Sequence, residues 1–171
     1  MDIASSWSAV EDAQLVVLTC PLVTTAWGAR GEEFVNAAAA PIVVVCLVLR
    51  DTAGAVLATQ RPRNKRLGLA WEFPGGKIEA GEEPENALRR EIQEELTLSI
   101  GQLHRLSDVI HEYDFGTVRL IPYLSQCVDR PSIRLTEHID SAWVCQKDWD
   151  NLEWAPADIP ILSQLNQLAK Q

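Results

Sequence analysis

The chain has 171 residues, of which 47% are hydrophobic, and a formal net charge of −9. This length and composition predict one domain, or one domain with an extension, that buries a core of its own. The negative charge argues against binding to nucleic acid across the surface at large, although basic groups gathered at one place can still bind a small anion.

No apolar run approaches the roughly 18 residues that a membrane-spanning helix needs, and the N-terminus is acidic where a secretion signal would be basic. The four cysteines, at positions 20, 46, 127 and 145, include no Cys-x-x-Cys pair. We therefore expect free thiols in a cytoplasmic protein that has no membrane partner.

The first 40 residues are expected to form an extension of undefined role, and residues 41–171 to form the domain itself. Within the extension, residues 14–20 (QLVVLTC) read as a strand, and the four alanines at 37–40 suit a short helix or a spacer. The simplest interpretation is a strand or arm that packs on the domain or on a dimer partner, and a role in gating the substrate is the alternative. The sequence leaves open whether the protein is a monomer or a homodimer.

Residues 42–49 (IVVVCLVL) form a continuous apolar, β-branched run, which predicts a buried central strand. Residues 51–54 make a turn, and residues 55–60 return as a second strand. A basic loop follows, which is either solvated or in contact with phosphate. Its charged residues are Arg61, Arg63, Lys65 and Arg66.

A glycine-rich turn then leads into a helix with clustered acids, which begins near Pro84. At about 100° per residue, Glu91, Glu94 and Glu95 fall within one arc of roughly 100°. A solvated helix face does not need this clustering, because neighbouring like charges cost helix stability. A hard divalent cation such as Mg²⁺ or Mn²⁺ does need it, since such ions take oxygen ligands and share them with substrate phosphates.

The stretch from Gly76 to Leu98 resembles the Nudix box, G-x5-E-x7-R-E-U-x-E-E-x-G-U, in which U is a bulky aliphatic residue. The positions that match are Gly76, Glu82, Arg90, Glu91, Ile92, Glu94, Glu95 and Leu98. Thr97 departs from the pattern, because the family has glycine there. This difference puts the shape of the loop after the helix in doubt more than it does the chemistry.

The resemblance implies an α/β fold, the Nudix α/β/α sandwich with a mixed, twisted β-sheet. It also implies metal-dependent hydrolysis of a nucleoside triphosphate to the monophosphate and pyrophosphate, with Mg²⁺ as the cofactor and Mn²⁺ able to substitute. The expected metal ligands are the Gly75 carbonyl, Glu91, Glu94 and Glu95, with Glu91 or Glu94 as the base. Arg90 is expected to hold a neighbouring carboxylate, and no Ser, Cys or His nucleophile stands near the box, so water attacks directly.

After the box, residues 103–115 and 118–128 alternate enough to predict two strands joined at Gly116 and Thr117, and residues 141–145 predict a third. His104 and His111 are expected to be ordinary strand residues. The last helix has an apolar stripe made of Ile161, Leu162, Leu165 and Leu168.

The MutT-like group within the family adds further site residues by resemblance. Arg61 stands eleven residues before Glu72, the spacing of a phosphate-binding arginine, and Lys77 resembles the phosphate-side lysine. Glu137, six residues before Trp143, resembles an acid in a mobile loop that approaches the metal. An ordinary exposed glutamate is the alternative.

Asp158 lies in an A-P-A-D-I-P stretch that closely resembles bacterial CTP pyrophosphohydrolases of the MutT-like group. At this place we expect an ionised carboxylate that reads the base by accepting hydrogen bonds. Capping of the last helix is the alternative role.

The sequence supports two substrates almost equally. One is 8-oxo-dGTP, in sanitation of the nucleotide pool, and the other is CTP or dCTP. Another nucleoside diphosphate derivative, such as ADP-ribose or a dinucleoside polyphosphate, and a catalytically silent Nudix-fold binding module are the alternatives.

Overall fold

The computed structural model describes residues 17–20, 23–27, 33–36 and 40–169, and the chain divides into two units, residues 1–40 and 41–171. The first unit contains a three-stranded antiparallel sheet of β1 (Val17–Cys20), β2 (Val23–Trp27) and β3 (Glu33–Asn36). The predicted strand over residues 14–20 is present from Val17, and residues 14–16 lie outside the described residues. Of the alanine run at 37–40, only Ala40 is described.

The second unit is built on a mixed eight-stranded sheet in which β11, β5, β4, β10 and β8 follow one another, while β6 pairs with β5, β7 with β4 and β9 with β10. Only β4 and β10 run parallel, and the other pairs are antiparallel. The strands are β4 (Ile42–Asp51), β5 (Val56–Gln60), β6 (Trp71–Glu72), β7 (Gly75–Lys77), β8 (His104–Arg105), β9 (Val109–Tyr113), β10 (Gly116–Cys127) and β11 (Asp140–Val144).

Strand β4 is central, as predicted, and its side chains alternate between two apolar cores. Leu47 and its neighbours two residues away on the strand pack with the buried face of α1 (Pro84–Leu96). Val48 belongs to the other core, which contains the buried residues of α2 (Ile159–Leu168). One helix thus covers each face of the sheet, which confirms the predicted α/β/α sandwich.

The apolar stripes of both helices are buried where the sequence places them, with one exception. Leu88, Ile92 and Leu96 of α1 are fully buried, whereas Leu168 at the end of α2 is 41% exposed. A short 3-10 helix, Gln146–Asn151, precedes α2. Of the helices in the described part of the chain, none combines the length and apolar character needed to cross a membrane.

The single strand predicted over residues 103–115 is wrong, because the chain divides there into β8 and β9. Pro122 of β10 has no N–H group with which to continue the ladder, and only its carbonyl is used, by the N–H of Leu106 at 2.9 Å. The turn into β10 is also displaced from its predicted position. Gly116 already pairs with Tyr113 across the two strands, so the turn consists of residues 114–115.

Helix α1 ends in the conformation that the family's glycine would supply. Thr97 takes up a left-handed conformation with φ 55° and ψ 39°, and its N–H donates to the carbonyl of Gln93 at 3.1 Å. The turn is therefore preserved although the glycine is absent. The cost is backbone strain, because a Cβ atom disfavours this conformation by about 1–2 kcal/mol.

The remaining carbonyls at the end of α1 are bonded by a later segment of the chain. The N–H of Thr136 donates to the Glu95 carbonyl at 3.0 Å, and its hydroxyl donates to the Glu94 carbonyl at 2.7 Å. The N–H of Arg134 donates to the Leu96 carbonyl at 2.9 Å. A helix end leaves carbonyls without intrahelical partners, so this segment completes the helix.

We expect Thr97→Gly to stabilise the protein, because glycine adopts the left-handed conformation without strain. Allowing for the greater freedom of glycine in the unfolded chain, the gain should be about 0.5–1 kcal/mol. Urea unfolding followed by circular dichroism measures it. Thr97→Ala is the control, since it removes the hydroxyl and keeps the Cβ atom. If Thr97→Gly and Thr97→Ala were equally stable, the proposed backbone strain at this position would be contradicted.

Candidate active site

Two glycines of β7 allow the acid helix to lie close against the central strand. A Cβ atom on Gly75, whose φ is +152°, would overlap the carbonyl of Val45 on β4. A Cβ atom on Gly76 would overlap the side-chain carboxylate of Glu91. A side chain at Gly75 would meet the backbone of β4, whereas one at Gly76 would have to displace the carboxylate of Glu91, which lies directly against the backbone of the turn.

Glu95 is the most buried acid of the helix, with 7% of its surface exposed. Its Oε2 accepts a hydrogen bond from the N–H of Gly75 at 3.0 Å. Burial, together with the negative charges of Glu72 and Glu91 and, more weakly, Glu137, raises the pKa of Glu95 to about 8, against the lowering effect of the Gly75 N–H. Of the predicted metal ligands, Glu91 and Glu137 are therefore close enough to act on the ionisation of Glu95.

Arg90 holds its neighbouring carboxylates in place. Its guanidinium donates to both oxygens of Glu82, at 2.9 and 3.0 Å, and to Glu91 at 2.9 Å. Glu94 is more loosely held, with its carboxylate 3.4 Å from the guanidinium and its side chain 60% exposed. The hydrogen bonds that Arg90 donates to Glu82 and Glu91 raise the pKa of Arg90 well above its usual range, and they lower the pKa of Glu82.

The donor set suits a hard divalent cation. It offers carboxylate oxygens beside a bare glycine backbone, and it holds a buried acid whose raised pKa shows that the site disfavours further negative charge unless a cation is present. Within residues 40–169, however, no three acid, histidine or cysteine side chains converge at metal-binding distance. Here Glu91 and, more loosely, Glu94 are paired with the guanidinium of Arg90.

A cavity of about 390 Å³ opens beside this turn, between β4, the basic loop and the start of α2. Its volume falls within the range of small-molecule sites. The glycines of the turn line it together with charged side chains, and these are Arg61, Lys65, Arg66, Glu72, Lys77 and Asp158. The three residues predicted to bind substrate, Arg61, Lys77 and Asp158, thus share one cavity.

Asp158 is 5% exposed and occupies the position before α2 without capping it, because its side chain bonds to no amide of that helix. Instead, its Oδ1 accepts from the N–H of Phe73 at 2.9 Å. Burial and, to a lesser extent, the charge of Glu72 raise its pKa to about 8, against the lowering effect of the Phe73 N–H and of Arg61. The capping alternative is therefore wrong, and the raised pKa disfavours the ionised carboxylate that the sequence predicts.

The basic loop is folded, and its residues differ in exposure. Arg63, Lys65 and Arg66 are exposed, as a solvated loop would have them. Arg61 is partly buried. Its Nη1 lies 2.7 Å from both oxygens of Glu72, and its Nε donates to the Arg66 carbonyl at 2.7 Å. Its Nη2 forms no hydrogen bond within residues 40–169.

Besides Glu72, one further residue of this site was not predicted from the sequence, and this residue is His138. Its side chain is 4% exposed, and its Nε2 lies 3.0 Å from Oε1 of Glu72. It follows Glu137, which is exposed and lies in the segment bonded to the end of α1. The contact joins residues 66 positions apart, so the only local signal is the proximity to Glu137 in the chain.

Comparisons with known proteins agree with this geometry. The family model for the NUDIX domain matches residues 40–165. The 8-oxo-dGTP diphosphatase of Proteus vulgaris is 44% identical over 66 residues, which cover 39% of this chain and 59% of that protein. The 8-oxo-dGTP diphosphatase of Haemophilus influenzae is 30% identical, covering 72% of this chain and 90% of that protein.

A second named activity occurs among the relatives. The CTP pyrophosphohydrolase of Escherichia coli is 30% identical over 120 residues, covering 70% of this chain and 87% of that protein. Among solved structures, the MutT protein from Methanosarcina mazei superimposes with a TM-score of 0.67 at 25% identity. That match covers 77% of this chain and 97% of the other.

The raised pKa of Glu95 predicts how the metal-free protein responds to pH. The folded protein keeps this proton up to about pH 8, whereas the unfolded chain loses it near the ordinary value of 4.5. Between these values the folded state binds more protons, so the free energy of unfolding falls as the pH rises, by up to about 1.4 kcal/mol per pH unit for one site. Glu95→Gln should remove this contribution.

Urea unfolding in a chelating buffer, at several values between about pH 5 and pH 8, measures the effect. The Glu95→Gln variant should lose less stability with rising pH than the unsubstituted protein. Glu94→Gln is the matched control, because the Glu94 side chain is exposed, and it should follow the unsubstituted protein. Parallel curves for Glu95→Gln and Glu94→Gln would contradict the assignment.

Proposed function

The chain belongs to the NUDIX domain family, and from this membership we propose that it hydrolyses nucleoside triphosphates to the monophosphate and pyrophosphate, with Mg²⁺ as its cofactor. It is a Nudix hydrolase, and enzymes of this family generally need a divalent metal. The observation that carries the proposal is the position of the acid helix, whose buried Glu95 and bare glycine turn adjoin a cavity lined by Arg61 and Lys77.

The metal would be held by carboxylates from α1 and by backbone, and Mn²⁺ can substitute for Mg²⁺ at such a set. When bound, it neutralises phosphate charge and lowers the pKa of a coordinated water. The proposed ligands are the Gly75 carbonyl, Glu91, Glu94, Glu95 and Glu137. Arg90 keeps Glu91 and Glu82 in place, and Glu91 or Glu94 takes the proton from the attacking water.

The phosphates are assigned to the basic side of the cavity. Arg61 is held by Glu72 through one edge of its guanidinium, so its Nη2 can donate to a phosphate oxygen. Lys77 is exposed on the cavity rim, directly after the two glycines, and supplies a second positive charge. Both contacts are independent of the base.

The base is assigned to the neighbourhood of Asp158, and two substrates fit it. The relatives include proteins named 8-oxo-dGTP diphosphatase and one named CTP pyrophosphohydrolase. The Phe73 N–H occupies Oδ1. In a neutral Asp158 the other oxygen carries the proton and can donate a hydrogen bond to O6 of a purine or to N3 of cytosine. Above about pH 8 the ionised group accepts only, which suits the N7–H of 8-oxoguanine or the N4 amine of cytosine.

We place this activity in the cytoplasm, where nucleoside triphosphates are used, and we assign no nucleic acid or membrane partner to a chain with a net charge of −9. Either a monomer or a homodimer would serve, since every proposed site residue comes from one chain. The activity on other nucleoside diphosphate derivatives and the silent binding module are not favoured, because the acid set is complete.

A screen for pyrophosphate release tests the proposal, over ordinary and oxidised nucleoside triphosphates with Mg²⁺ and with Mn²⁺. Glu94→Gln and Glu95→Gln should each lower turnover by about 100-fold or more, because charge stabilisation worth several kcal/mol is lost. Glu85→Gln is the matched control, since this exposed acid lies in the first turn of the same helix. No release from any nucleotide would refute the function, and unchanged turnover in both variants would remove Glu94 and Glu95 from the site.

Asp158→Asn tests the base assignment. An asparagine can accept from the Phe73 N–H and donate into the cavity at every pH, so it imitates the neutral acid permanently. Above about pH 8, where the unsubstituted carboxyl is ionised, the variant presents a donor in place of an acceptor, and it should change the ratio of 8-oxo-dGTP to CTP turnover by up to about tenfold, the effect of one hydrogen bond. Near pH 7 the shift should be smaller. A ratio that does not change at either pH would exclude Asp158 from base recognition.

A further inference from the structure

His138 is held in the gap between the acid helix and the basic loop. Two residues before it, Thr136 bonds to the last turn of α1 through its N–H and its hydroxyl. One residue after it, the N–H of Ile139 donates to the carbonyl of Gln60 at 3.0 Å, directly before Arg61. The backbone on both sides is therefore anchored, and the imidazole has little freedom to leave its place.

The hydrogen bond between His138 and Glu72 has a defined direction. The Glu72 carboxylate already receives Arg61 Nη1 at 2.7 Å on both oxygens, so it is present as an acceptor. The Nε2 of His138, 3.0 Å from Oε1, must then carry the hydrogen that completes the bond. The geometry consequently assigns the Nε2–H form to this imidazole.

The other ring nitrogen of His138 is left without a partner. Its Nδ1 is buried and makes no hydrogen bond to any residue in the described part of the chain. A buried polar atom without a partner destabilises the folded state. The bond between Nε2 and Glu72 is therefore the hydrogen bond that holds this imidazole among the described residues.

We propose that His138 is a positioning residue for substrate phosphate, which acts through Glu72 on Arg61. By bonding to Oε1, the imidazole fixes the plane of the Glu72 carboxylate, and that carboxylate holds one edge of the Arg61 guanidinium. With Nη1 held by that carboxylate and Nε by the Arg66 carbonyl, Nη2 stays available to a ligand in the cavity that Arg61 lines, without the loss of rotamer freedom that a loose arginine would suffer on binding. The inference rests on the proposed function, because it takes Arg61 as the phosphate contact.

A pair of amide variants separates the two ring nitrogens. The amide nitrogen of Gln reaches the place of Nε2, so His138→Gln keeps the bond to Glu72, whereas His138→Asn reaches only the place of Nδ1. We expect His138→Asn to raise the KM of purine and pyrimidine triphosphates alike by about tenfold, the effect of one hydrogen bond to a charged group, with kcat nearly retained. His138→Gln should restore most of the loss. His104→Asn is the matched control, since His104 is exposed on β8.

A double-mutant cycle with Arg61→Ala identifies the route of the effect. If His138 acts through Arg61, adding His138→Asn to Arg61→Ala should not raise KM any further. An effect of the same size in both backgrounds would overturn the proposal, as would a His138→Gln variant that is as impaired as His138→Asn. An unchanged KM in His138→Asn would overturn it as well.

Two measurements do not depend on turnover. Long-range ¹H–¹⁵N spectra of the three histidines report the tautomer of each ring, and His138 should be in the Nε2–H form; an Nδ1–H form would overturn the proposal. Calorimetric binding of inorganic triphosphate should weaken about tenfold in His138→Asn. If the unsubstituted protein releases no pyrophosphate from any nucleotide, the proposed function fails, and equal triphosphate affinity in the two proteins would separately overturn the role of His138.

Discussion

The close approach of the glycine turn to both β4 and α1 is the constraint on which the rest of the site depends. Neither Gly75 nor Gly76 has room for a Cβ atom, since one faces a backbone carbonyl and the other faces the carboxylate of Glu91. Because Gly75 lies so close to β4, its N–H can bond to Glu95, and the two glycines line the cavity. A side chain at Gly75 would push β7 away from β4, and one at Gly76 would displace the carboxylate of Glu91 from its place beside the turn.

The acids are balanced by two arginines, each of which pairs with carboxylates on its own side of the turn. Arg90 pairs with Glu82 and Glu91 on the helix side, and Arg61 pairs with Glu72 on the side of the basic loop. Within the described residues, Glu95 pairs with no arginine, and burial together with the charges of Glu72 and Glu91 raises its pKa. Arg90 instead lowers the pKa of Glu82. A cation bound beside Glu95 would favour its ionised form.

The sequence was sufficient to predict those parts of the fold and of the site that a local pattern determines. The periodicity of α1 and the apolar run of β4 define the two-faced sheet, and the spacing of the box places its acids on one arc. The interruption between β8 and β9 was not predictable from their own residues, because it follows from Pro122 on the neighbouring strand. The contact of His138 and the raised pKa of Asp158 were not predicted for a similar reason, since both depend on contacts and burial that form only when distant segments meet.

The bonds from Arg134 and Thr136 to the end of α1 also restrict the movement of the loop that lies between β10 and β11. The loop that carries Glu137 cannot swing outward unless three carbonyls at the helix terminus lose their partners. Hydrogen exchange of these loop amides is therefore tied to fraying of the helix, and the two segments open as one cooperative unit. The loop that carries Glu137 is therefore expected to move with the end of the acid helix, whereas the basic loop on the other side of the cavity is joined through Arg66 to Arg61 and to the ring of Phe115.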